Sequence, residues 1–62
     1  MREELHDLNN QLAVILNYSA FVMEDTAEDD PRREDLLEIR RAAERARDLT
    51  LRLLAPPPPP EG

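Results

Sequence analysis

Leu5, Leu8, Leu12, Ile15, Ser19 and Val22 follow one another in alternating steps of three and four. That spacing gathers side chains on one side of an α-helix and, when sustained, makes a helix–helix seam. Ala13, Val14, Leu16, Ala20, Phe21 and Met23 widen the stripe. A stripe so wide suits a helix with more than one neighbour, as in a four-helix bundle. The acidic stretch "EDTAEDDPRRED" then breaks the pattern. Within it, Asp30 is suited to accept from a free backbone N–H at a helix start, and Pro31 to occupy the first helical position. Glu34 and Asp35 fall in the first turn, where the helix dipole favours negative charge.

The second pattern runs through Leu36, Ile39, Ala43, Ala46, Thr50 and Leu53, flanked by Leu37, Ala42, Leu49 and Leu54. Alanines at its middle permit close helix approach. Arg40, Arg41, Arg45, Arg47 and Arg52 lie mainly outside this seam, with Glu38, Glu44 and Asp48 as helical neighbours. The sequence thus predicts an all-α antiparallel hairpin, with a helix over about 2–25, a loop over about 26–30 and a helix over about 31–54. One hairpin cannot bury stripes this wide. Two of them can, so the expected assembly is a homodimeric four-helix bundle with coiled-coil-like packing. Residues 56–62 follow as a tail with five consecutive prolines, expected to be a stiff linker stub. A ligand for a proline-recognising domain is the weaker reading.

Composition removes most other function classes. A chain of 62 residues makes one domain and usually needs a partner to be stable. With no cysteine and one histidine, neither a thiolate metal site nor a single-chain zinc site is expected. Gly62 is the sole glycine, so the chain has no glycine-rich phosphate loop with which to bind ATP by itself. A net charge of −6 disfavours nucleic acid. The charge is also uneven: residues 1–30 hold eight acids against Arg2, and residues 31–55 hold seven arginines against five acids. Segments of opposite balance attract when folded side by side. Residues 8–23 are uncharged but include Asn9, Asn10, Gln11, Asn17 and Ser19. They fall short of the ~20 apolar residues of a membrane span. Glu3, Glu4 and Asp7 are foreign to a signal peptide. The expected location is therefore the cytoplasm, with no membrane contact.

His6 is followed at once by Asp7 and, one turn on, by Asn10. It lies about 100° from Leu5 around the helix, on the flank of the stripe. Asn10, Ala13, Asn17 and Glu24 continue that flank. A neutral imidazole is a nucleophile near neutral pH, and a carboxylate beside it fixes its tautomer and accepts its proton. Asp7 is placed for that role, leaving one ring nitrogen free to attack phosphorus. Asn10 can orient a water without competing as a nucleophile.

The segment "HDLNNQLAVILNY", followed by "DDPRREDLLEIRRAAERARDLTLRLLA", resembles the dimerisation and histidine-phosphotransfer domain of bacterial sensor histidine kinases. The likeness is to the subtype whose phosphoacceptor box reads H-D-L-N-N, and it runs from about Leu5 to Ala55. It implies that His6 is the phosphorylated histidine and Asp7 the acid that activates it. It implies that Asn10 positions water to dephosphorylate a response-regulator receiver domain, and that Ala13, Asn17 and Tyr18 contact that receiver. The implied role is phosphotransfer in two-component signalling, with no cofactor bound by this chain. ATP and magnesium would enter only through a separate ATP-binding kinase domain, acting in trans or lost by truncation, so the hairpin alone is not expected to be a kinase. The alternative is a dimeric docking module that binds a receiver or kinase domain without being phosphorylated.

Overall fold

The computed structural model describes residues 2–56 and 60, which form a two-helix hairpin. Helix α1 spans Arg2–Glu24 and α2 spans Arg32–Leu54, 23 residues each. They run antiparallel, and the Arg2 guanidinium donates to the Leu54 carbonyl at 3.3 Å to tie the open ends together. No helix among the described residues is long and apolar enough to cross a membrane. Pro57–Pro59 lie outside the described residues, as does the stiff segment expected there.

The turn is held by backbone groups that the helices cannot satisfy themselves. No basic residue sits in the last turn of α1. Arg33, from the first turn of α2, supplies the missing cation by donating to the carbonyls of Thr26 (2.7 Å) and Met23 (3.3 Å). Asp30 opens α2 much as expected: its carboxylate accepts the Arg32 N–H at 2.9 Å and its carbonyl accepts the Arg33 N–H at 3.0 Å. Pro31 caps the helix one residue outside the predicted position, and α2 starts at Arg32. At the far end Ala55 turns extended, as a residue before proline must.

Hydrogen bonds from the Arg32 side chain and backbone hold the Asp30 carboxyl at about 2. Its ordinary value is 3.8, so this contact favours the folded chain fully above that pH and is lost as pH falls toward about 2. Carboxyl chemical shifts should show Asp30 titrating near 2 in the native chain and closer to its ordinary value in Arg32→Ala. Coincident midpoints would remove the contact.

The interior of the hairpin divides the predicted stripe. Leu12, Ser19, Ala43 and Thr50 are buried, with Leu5, Asn9, Leu16, Met23, Leu36, Ala46 and Leu54 half-buried around them. The α1 seam therefore reads Leu5, Asn9, Leu12, Leu16, Ser19, Met23. Leu8, Ile15 and Val22, expected in that seam, stay half exposed, at 50 %, 45 % and 50 %. Ile39 and Leu53 of α2 are likewise exposed. Close approach at Ala43 and Thr50 leaves room for only part of the stripe. Ser19 and Thr50 fit because their hydroxyls donate to carbonyls of the preceding turn, Ser19 to Leu16 at 2.9 Å and Thr50 to Ala46 at 2.6 Å.

The displaced residues form a surface of their own. Val22 and Ile39 line one groove together with Leu36. From there Leu8, Ile15 and Val22 on α1, and Ile39, Ala46 and Leu53 on α2, repeat every seven residues along the same side. They form an aliphatic strip, bordered at the turn end by Asp25, Thr26, Arg32 and Asp35. The opposite side is polar, with a groove lined by Asn17, Ala20, Arg40, Glu44, Arg47 and Asp48.

Candidate functional site

All six residues singled out from the sequence lie on α1, whose uninterrupted backbone fixes their relative bearings. His6 sits one turn inside the open end that Arg2 ties to Leu54. His6, Asp7, Asn10 and Asn17 are exposed, and Ala13 is half-buried. His6, Ala13 and Asn17 share one strip of helix surface, and Asn10 is about 40° from His6 at its i+4 position. This strip borders the seam on the side opposite Leu8, Ile15 and Val22, so the histidine lies clear of the aliphatic face.

Two of the six depart from that strip. Asp7 is about 100° around the helix from His6, and among the described residues no hydrogen bond joins them. The carboxylate does not orient the ring in this structure. Tyr18 is about 120° from His6 and stands on the far flank beside Asp7. It is 65 % exposed and meets Phe21 edge to face, with centroids 5.8 Å apart at 86°.

The structure adds residues that the sequence pattern did not single out. The groove beside Asn17 takes one wall from α2, where Arg40 and Glu44 form an ion pair at 3.0 Å next to Arg47 and Asp48. The four-residue steps Arg40–Glu44 and Glu44–Asp48 were visible, but only packing showed them facing Asn17. Asn9 also emerges: its Oδ1 is enclosed at the seam without a hydrogen-bond partner among the described residues. Its sequence neighbour Asn10 stands at i+4 from His6, whereas Asn9 turns into the seam.

Chemically, the strip presents one exposed nucleophile, two amides and a methyl group, with cations and carboxylates across the groove. No group of three or more histidines and carboxylates among the described residues could hold a metal ion. The strip lies open on the helix flank beside the groove lined by Asn17, Arg40, Glu44, Arg47 and Asp48. No family model, curated protein or solved structure matches the chain.

Proposed function

We propose that the chain is a dimeric histidine-phosphotransfer module. Support comes chiefly from the position of His6: exposed, one helical turn from Asn10, on a polar strip turned away from the aliphatic face. A second copy on that face would complete a four-helix bundle and leave both histidines accessible.

In this reading a neutral imidazole nitrogen of His6 attacks phosphorus on a phosphorylated partner domain. An N–P bond forms as the donor's P–O bond breaks, the electron pair leaves with the donor oxygen, and Asp7 or water takes the proton from the other ring nitrogen. In the return step a receiver carboxylate attacks phosphorus, the P–N bond breaks and the imidazole regains a proton. Such steps rely on positioning and charge stabilisation, which suits a site with few groups of its own. ATP and magnesium belong to a separate kinase domain.

Asn10 serves a separate hydrolysis: it holds a water in line with the receiver's phosphorus, the acyl P–O bond breaks, and carboxylate and inorganic phosphate are released. Asn10→Ala is expected to leave phosphate acceptance by His6 within about two-fold of wild type and to slow partner dephosphorylation at least about ten-fold. Parallel time courses of phosphohistidine formation and receiver dephosphorylation check this. Equal loss of both would remove the role assigned to Asn10.

A second reading, a docking module that is never phosphorylated, draws on the exposed His6 ring having no orienting hydrogen bond among the described residues. It predicts that receiver binding survives His6→Ala in full while no phosphohistidine can be trapped.

A further inference from the structure

Asn9 breaks the pattern of the seam. Its neighbours on that side of α1 are Leu5, Leu12 and Leu16. The buried hydroxyls are satisfied within their own helices: Ser19 donates to the Leu16 carbonyl at 2.9 Å, and Thr50 to those of Ala46 and Arg47 at 2.6 and 3.0 Å. The Asn9 Oδ1 is enclosed and accepts no hydrogen bond among the described residues. An enclosed acceptor without a donor opposes folding, and asparagine is a poor helix former besides. A leucine would serve the packing better, so the amide calls for a donor.

Helical side chains lean toward the N-terminus, over the residues three and four positions back. For Asn9 these are His6 and Leu5, and one turn forward stand Leu12 and Ala13. Of the four, His6 alone carries a side-chain donor. Across the seam, the contacts Arg2 to Leu54 and Arg33 to Met23 set Asn9 level with the Ala46–Thr50 turn of α2. There the Thr50 hydroxyl is committed to its own helix, and Arg47 lines the groove beside Asn17. Asn9 is about 60° from His6 around α1 on the seam side, and Asp7 about 100° away on the other. His6 is exposed, so its ring can rotate toward either.

We infer that Asn9 is a positioning residue for His6: the imidazole turns toward the seam and donates its Nδ1–H to the Asn9 Oδ1. The hydrogen bond holds the neutral ring in the Nδ1–H tautomer and leaves the Nε2 lone pair facing out toward a docked partner. The use of that lone pair rests on the phosphotransfer reading: Nε2 forms the N–P bond as the donor's P–O bond breaks and the electron pair leaves with the donor oxygen. An amide cannot take the Nδ1 proton, which leaves to Asp7 or water when the ring turns back.

The test uses the full chain with isotope-labelled histidine. His6 is the sole histidine, so its two ring-nitrogen shifts report the tautomer without assignment, and phosphate uptake is followed in parallel. In wild type most neutral rings should carry the proton on Nδ1. Asn9→Leu should invert that preference and slow uptake about ten-fold with helicity retained. Asn9→Asp, which keeps an acceptor, should retain the Nδ1–H form. A wild-type ring protonated mainly on Nε2 overturns the proposal by itself, even if Asn9→Leu fails to fold. So does a tautomer indifferent to Asn9→Leu, or unchanged uptake after the tautomer inverts. In those cases uptake by wild type still upholds phosphotransfer. A ring held by Asn9 in a chain that takes up no phosphate upholds the hydrogen bond and overturns phosphotransfer instead.

Discussion

Ile15→Asp is expected to abolish the proposed dimer, whereas Val14→Asp, one residue away, leaves it intact. The two side chains are almost equally exposed in the hairpin, at 45 % and 47 %, so the exposure of one chain does not separate them. Direction does. Ile15 belongs to the aliphatic face with Leu8, Val22 and Ile39, and Val14 to the outward side of α1. A carboxylate placed between two copies would lose its water without a partner, at a cost of several kcal/mol. That rivals the whole stability of a domain this size, ~3–9 kcal/mol at ordinary per-residue values. Leu12→Asp strikes the hairpin's own interior, where Leu12 and Ala43 are the buried apolar side chains among the described residues, and should abolish helicity together with association. Sedimentation and circular dichroism over a concentration series distinguish the three variants. An intact dimer in Ile15→Asp would refute the assigned interface.

His6→Gln should abolish phosphate uptake, a loss of at least about 1,000-fold, because an amide has no nucleophilic nitrogen. The side chain is exposed, so folding and assembly should be untouched. Loss of uptake with loss of helicity would point to a packing role and count against the assignment. Asp7→Asn should slow uptake without abolishing it, since the carboxylate makes no hydrogen bond to the ring here.

How much of this was legible in the sequence depends on which neighbour a residue answers to. Helix identity and the start of α2 follow from local rules: a sustained period, acids in the first turn, and Asp30 and Pro31 at its threshold. The seam was only half legible. Hydrophobicity puts Leu8, Ile15 and Val22 beside Leu5 and Leu12, yet the hairpin turns Asn9, Leu16 and Met23 inward instead. A wide apolar stripe states that a helix has two neighbours, not which edge meets which. Small residues on α2, Ala43 and Thr50, decide that, through packing that no single-helix pattern contains.

The candidate site divides along the same line. His6, Asn10, Ala13 and Asn17 fall on one strip because helical geometry alone places them. Tyr18 was grouped with Ala13 and Asn17 by resemblance, and the helix carries it to the opposite flank with Asp7. Phe21 looked like one more member of the stripe, and only the direction of α2 showed it facing outward. The wall of Arg40, Glu44, Arg47 and Asp48 depends on the packing of the two helices.

Phosphate uptake followed by intact mass tests phosphotransfer through His6 most directly. Wild type and His6→Gln would be incubated with phosphorylated receiver domains and, separately, with a related kinase's ATP-binding domain plus ATP and magnesium. Phosphotransfer through His6 requires one added phosphoryl group per chain, labile in acid and stable in base, in wild type alone. An adduct of equal yield in His6→Gln, or none in wild type despite retained receiver binding, would contradict it.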